Sequence, residues 1–265
     1  MAEKLTPAEI RDYWTRQATA HGSAPSASWT DVGAIELEIR AISRRLADGD
    51  RVLDVGCANG YSTLEYAVRK QLRIKGVDYV PEMIAIARQR LQEEQRQTLG
   101  VVEFAVGDAM ALDEADETYD KAIVVRVIIN LGVWEQQRRA LRECARVVRR
   151  GGLLLVSEAT LQGWSKLNQF RTEWGLPPIV MPAFNQYVDE EKVVEAAAPQ
   201  LELLEVENFA STYSVATRVI KPLLARAAAS HVDVADPQMH WNRWSAQLPA
   251  CGDYGTQKLF VFRKR

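Results

Sequence analysis

Short apolar runs alternate with helical stretches along most of this chain. Arg51–Val55 is apolar and branched, too short for a helix, and is followed by Gly56 and Gly60. A helical pattern then covers residues 62–70. Residues 72–77 read as a second strand that ends at Asp78, and Pro81 opens a helix reaching about residue 97, with Met83, Ile84 and Ala87 on its inner face. Residues 102–106, 119–127 and 153–157 read as the third, fourth and fifth strands. An amphipathic helix over 134–148 and a turn over 149–152 separate the last two. A helix over 189–198, a sixth strand over 201–206 and a last strand over 259–263 complete the pattern. Strands alternating with helices predict an α/β fold, a Rossmann-like doubly wound sheet, here of seven strands.

The flanks of this core are less regular. Thr6, Pro7 and Glu9 form the signature of a helix start, a capping box with proline in the first turn. Tyr13 and Trp14 lie on that helix. Residues 21–30 are rich in Gly, Pro and Ser and read as a loop. Ile35, Ile39, Ile42 and Leu46 give residues 31–47 a helical period. Two insertions interrupt the second half. The first, 161–188, is punctuated by Pro177, Pro178 and Pro182. The second, 211–255, holds a helix-like stretch over 217–229 and the pair Trp241 and Trp244. The whole reads as a single domain over 1–265: a helical cap to residue 47, a cofactor-binding core over 48–160, and the two insertions.

The glycine turn after the first strand narrows the chemistry. A dinucleotide fold carries Gly-x-Gly-x-x-Gly there, with a pyrophosphate at the helix start. Here the spacing is Gly56-x-x-x-Gly60, with Ala58 between. Asp54, two residues before Gly56, repels a pyrophosphate and suits an ammonium group. Asp78 follows Gly56 by 22 positions (78 − 56), the spacing at which an acidic side chain accepts ribose hydroxyls. Asp108 and Ala109 follow the third strand.

Asp54, Gly56, Ala58, Gly60, Asp78 and Asp108 in this order resemble the motifs of the class I S-adenosylmethionine-dependent methyltransferases, with Ala58 in place of the middle glycine. The resemblance implies S-adenosyl-L-methionine as cofactor, Asp78 at its ribose, Asp108 and Ala109 at its adenine, and Tyr79 as a further cofactor contact. It implies a last strand running antiparallel between the fifth and sixth. It also implies an N-terminal aromatic lid, to which Tyr13 and Trp14 belong; packing of that helix onto the domain is the alternative. Met83 is a candidate for the adenine edge or for the core. Arg126, within an apolar run, needs an anion: the cofactor carboxylate, a substrate acid or a structural carboxylate.

Composition narrows the partners. A formal charge of −2 lacks the basic surplus of a nucleic-acid binder. Cys57, Cys144 and Cys251 are too scattered for a disulfide framework or a zinc site, so no metal is expected. No stretch approaches 18 consecutive apolar residues, which implies no membrane span and a cytoplasmic protein. A monomer or a homodimer fits equally.

A hydroxyl acceptor needs a base, whereas a neutral amine does not. Glu158, at the end of the fifth strand, and His240, beside two tryptophans, are the candidates; a structural His240 is the alternative. The insertions mix amides with aromatics, and Gln162, Asn168, Arg171, Asn185 and Tyr187 are the candidates for substrate contact. This region resembles methyltransferases that modify saccharides or natural products. The expected activity is O-methylation of a small polar molecule. The alternatives are a protein or RNA methyltransferase, a non-catalytic adenosyl-binding protein, and a nicotinamide-dependent oxidoreductase.

Overall fold

The structure, a computed structural model, describes residues 5–229 and 231–265. Seven strands form one sheet in the order β3-β2-β1-β4-β5-β7-β6. They are β1 (Arg51–Val55), β2 (Arg73–Asp78), β3 (Val101–Val106), β4 (Tyr119–Val125), β5 (Val148–Ala159), β6 (Leu201–Glu207) and β7 (Gln257–Lys264). The pairings of β1 with β2 and β4, of β2 with β3, and of β4 with β5 are parallel. β7 runs antiparallel to both β5 and β6, as the resemblance implied.

Alternation along the strands separates two cores. Leu53, Val55, Ala122, Val124, Leu154 and Val156 face α5 (Trp134–Val147) and α7 (Glu190–Ala197). Val52, Ile74, Ile123 and Leu155 face the other way, against α2 (Val32–Ser43) and α3 (Tyr61–Arg69). Along the β3 edge, Phe104 packs with Leu64 of α3 and with Ile84 and Ala87 of α4 (Pro81–Glu93). Helices on both faces leave the strand ends as the place where a ligand can enter.

α1 (Pro7–His21) starts with the expected capping box. Thr6 accepts from the Glu9 amide at 3.3 Å, and Glu9 accepts from the Thr6 amide at 2.8 Å. Two segments depart from expectation. The fourth strand stops at Val125, because Arg126 adopts a left-handed φ of 53°. Residues 149–152 are not a free turn: β5 already begins at Val148, opposite Tyr119, and a register shift between Tyr119 and Lys121 absorbs the extra residues.

The first insertion forms α6 (Leu161–Glu173) and a proline-punctuated loop. The second forms α8 (Ser211–Val215), a π-turn over Ala216–Ile220, α9 (Lys221–Ala227) and α10 (His240–Ser245). It is fastened to the start of α2. Buried Asp31 caps that helix through the Ala34 amide at 3.2 Å, accepts the Tyr213 hydroxyl at 2.5 Å and pairs with Arg218. Asn242 donates to the same Tyr213 oxygen at 3.0 Å, and Lys221 donates to Asn242 at 2.8 Å. Among the described residues no helix is long and apolar enough to cross a membrane.

Candidate active site

The turn after β1 is tight because three of its residues are left-handed: Gly56 and Gly60 at φ 74° and Ala58 at φ 48°. A Cβ on Gly56 would lie 2.1 Å from Cγ2 of Val127, so both conformation and close approach demand glycine there. Ala58 carries a left-handed strain of roughly 1–2 kcal/mol. Its amide donates to Asp78 Oδ2 at 3.0 Å, while Asp78 Oδ1 accepts from the Val80 amide at 2.9 Å. The end of β2 thus holds the loop that follows β1. Asp54 accepts the Thr63 hydroxyl at 2.5 Å and is buried.

Burial pushes both carboxyls up to about 6. For Asp78 the amides of Val80, Ala58 and Tyr79 offset part of that rise. For Asp54 the Thr63 hydroxyl lowers it, while the Asp78 and Glu38 charges raise it further.

Both carboxylates line a cavity of about 430 Å³ at the strand ends. Trp14, Gly56, Ala58, Tyr79, Met83, Asp108, Ala109 and Arg126 line it too. Two of the expected cofactor residues do not. Gly60 packs under the loop against Phe104 and Ala87. Tyr13 turns to Phe184 of the first insertion, with ring centroids 4.4 Å apart and planes nearly parallel at 21°. Met83 is both lining and buried, so core and cavity wall coincide at this residue.

The donor set fits an adenosyl group carrying an ammonium. Carboxylates stand at two strand ends, and Tyr79, Met83 and Ala109 give the same lining apolar surface that suits an adenine.

Arg126 points at the structural carboxylate: it pairs with buried Glu38, and Trp29 stacks on its guanidinium with 5.2 Å to the ring centroid. Ser157 and Gln257 also donate to Glu38.

Glu158 requires a correction. Its side chain is fully buried and lies outside the cavity lining. It accepts the amides of Val127 at 2.8 Å, Ile128 at 2.7 Å and Ile129 at 3.3 Å. The chain turns there without strand partners, and buried amides need an acceptor. Burial pushes this carboxyl up to about 8, against the pull of those amides. His240 is exposed at the start of α10, also outside the lining, because Asp31 anchors its insertion on the α2 side.

Three substrate candidates serve the insertion itself. Gln162 spans Asp189 and the Glu190 amide, each at 3.1 Å. Asn168 brackets the Ile179 backbone at 3.0 and 2.7 Å. Arg171 donates to the carbonyls of Pro177, at 2.9 and 2.7 Å, and of Arg218. Asn185 and Tyr187 instead line a second cavity of about 510 Å³.

Several lining residues carry no motif. Arg11 donates to the Tyr79 carbonyl at 3.3 Å and lies over its ring, closing α1 onto the cavity. Asn59 donates to the carbonyls of Gly22 and Ala24 at 3.0 and 2.8 Å, tying the glycine loop to the segment after α1. Asn130 and Gln136 lie beyond β4. Only the family's rule that ligands gather past strand ends could have flagged them.

The sheet order β3-β2-β1-β4-β5-β7-β6, with the left-handed loop after β1, is that of a Rossmann-like methyltransferase fold. Residues 52–152 match the family described as a methyltransferase domain. The O-methyltransferase rstn1 of Aspergillus nomiae is 30% identical over 152 residues, covering 55% of this chain and 65% of that protein. The phosphatidylethanolamine N-methyltransferase of Cereibacter sphaeroides is 34% identical over 110 residues, covering 42% and 51%. The chain therefore spans less than two thirds of the length of either relative. The magnesium protoporphyrin IX methyltransferase of Synechocystis, solved with bound SAH, has a TM-score of 0.60 at 15% identity, over 96% of this chain and 94% of that one. At that identity the likeness is one of fold.

Two predictions follow from the carboxyls. Glu158→Gln leaves one backbone amide facing an NH2 group, so it should cost about 1–3 kcal/mol of stability while adenosyl-ligand affinity holds. Urea unfolding with calorimetry checks this; full stability with abolished binding would return Glu158 to the cavity. Asp54 and Asp78 must ionise to hold a cationic ligand. Affinity for S-adenosyl-L-methionine should be flat above about pH 7 and fall as pH drops through about 6. Stability of the free protein moves the other way. Folded carboxyls raised from 3.8 to about 6 bind more protons than unfolded ones, so their contribution is present at low pH and lost as pH rises through that window. Calorimetry at about pH 5 and pH 7.5 checks the affinity, and equal values would contradict the charge requirement.

Proposed function

We propose that this chain methylates an oxygen atom of a small natural-product-type acceptor, with S-adenosyl-L-methionine as donor. The observation that carries the reading is the pair of buried carboxylates, Asp54 and Asp78, lining one cavity that adjoins a second. The similarity to an O-methyltransferase supports oxygen as the target atom.

Bound S-adenosyl-L-methionine supplies a methyl group already activated on a cationic sulfur. The chain's own residues bind and align. In this reading Asp78 takes the ribose hydroxyls, Asp54 the ammonium, and Asp108 with the Ala109 amide the adenine edge. Arg11 and Trp14 on α1 cover the cavity and exclude water. Glu158 and His240 lie outside its lining, so the chain's main contribution to rate is orientation: the acceptor oxygen takes the methyl, sulfur keeps the electron pair of the broken bond, and the hydroxyl proton passes to solvent rather than to either side chain. A saccharide fits less well than a natural product of lower polarity, since Gln162 is spent on the start of α7 and Asn168 and Arg171 on backbone of the insertion.

The test pairs binding with transfer. S-adenosylhomocysteine at about 100 times its dissociation constant should add ~2.7 kcal/mol of stability, read as a rise in melting temperature, and nicotinamide dinucleotides should add none. Labelled methyl should then pass to hydroxylated aromatic compounds in preference to their amine counterparts. A thermal shift with a dinucleotide alone would end the methyltransferase reading, and preference for the amines would end the assignment to oxygen.

A further inference from the structure

The two cavities share three lining residues: Pro7 and Ile10 of α1 and Gln136 of α5. The second cavity, about 510 Å³, is within the range of small-molecule sites. One wall is aromatic and aliphatic, built from Trp134, Leu161, Phe184 and Tyr187, while Asn185, Gln186 and Lys192 bring polar groups to the lining. Two of its polar side chains are already committed. Gln137 donates to the Gln186 carbonyl at 2.8 Å, and Asp189 caps α7 through the amides of Glu191 and Lys192 at 3.0 and 3.4 Å. Gln136 differs. It is partly buried where the cavities meet, and its side-chain amide makes no hydrogen bond among the described residues.

We infer that the second cavity is the acceptor site, that it takes an apolar, ring-bearing molecule with one hydroxyl at its reacting end, and that Gln136 orients that hydroxyl. The inference rests on the methyltransferase reading and gives it a substrate class. Against the wall of Trp134, Leu161, Phe184 and Tyr187 the hydroxyls of a polyhydroxylated sugar would meet rings and aliphatic groups, whereas a ring-bearing molecule with a single hydroxyl lays apolar surface there. The amide of Gln136 offers both a donor and an acceptor, so its oxygen can accept a hydrogen bond from the hydroxyl and leave an oxygen lone pair directed at the cofactor cavity. Pro7 and Ile10 supply the dry remainder of the junction.

Naphthol serves as the probe, titrated into wild type, Ala183→Trp and Gln136→Leu, each saturated with S-adenosylhomocysteine. Ala183 lines the second cavity alone, so a tryptophan there fills it. Gln136 lies on a different element, which keeps the test decisive if the bulky variant fails to fold. Ala183→Trp, outside the lining of the cofactor cavity, should bind S-adenosylhomocysteine as wild type does, and Gln136→Leu is saturated according to its own measured affinity before naphthol is added. Naphthol affinity should fall at least tenfold in Ala183→Trp. In Gln136→Leu it should fall about 3–10-fold, the worth of one hydrogen bond, while naphthalene binds unchanged. Glucose should not compete. Failure of naphthol to bind wild type, equal affinity in all folded variants, or displacement by glucose overturns the acceptor assignment. Failure of S-adenosylhomocysteine to bind wild type overturns the cofactor reading beneath it, which separates the two.

Discussion

One hydrogen bond across two strands organises the site. The Ala58 amide donates to Asp78 at 3.0 Å, so the end of β2 fixes the loop that leaves β1. That loop needs the fixing, because three of its residues are left-handed and one of them is alanine. The bond holds the turn open as a rim, and the Val127 side chain packs where a Gly56 side chain would otherwise be. Asp78 is then buried with two backbone amides pointed at it, an environment in which a ligand's hydroxyls meet an acceptor that is already oriented. The cost is a carboxyl raised by burial, and a cationic ligand offsets it.

Buried charges elsewhere act on the chain itself. Glu158 binds three successive amides and so creates the turn that carries Asn130 and leads to Gln136. Glu38 holds Arg126 where β4 ends in a left-handed residue. Asp31 fastens the second insertion to α2, which leaves that insertion outside both cavities. The roof over the cavities comes instead from α1 and the loop of the first insertion, joined by the stack of Tyr13 on Phe184. A single substitution in any of these clusters leaves a buried partner unpaired, which costs more than the contact contributes.

Much of this was legible from residue order alone. Each parallel strand announced itself by an apolar run between glycine or proline and a helical period, and the sheet order followed from the resemblance. Asp54 and Asp78 were marked by their spacing from Gly56 and Ala109 by the resemblance, and all three line the cavity. What misled was direction. Glu158 sits at a strand end, as expected, but successive side chains there face opposite layers, and Ser157 and Glu158 point to different buried partners. The amides of the insertions were equally ambiguous. Asn168 and Gln162 look the same in sequence whether they meet a ligand or a neighbouring backbone, and here they meet backbone. Gln136 gave no signal, being one polar residue on a helix of many.

Asp78 is the anchor on which placement of an adenosyl ligand at this strand end depends. Calorimetry of S-adenosylhomocysteine on wild type and Asp78→Asn measures this directly, since asparagine keeps an oxygen for the Ala58 amide and loses the charge. Hydrogen bonds to a charged group are worth about 1.5–3 kcal/mol, so affinity should fall about tenfold to a hundredfold with the fold retained. Unchanged affinity in a folded variant would contradict the placement of the cofactor at this strand end.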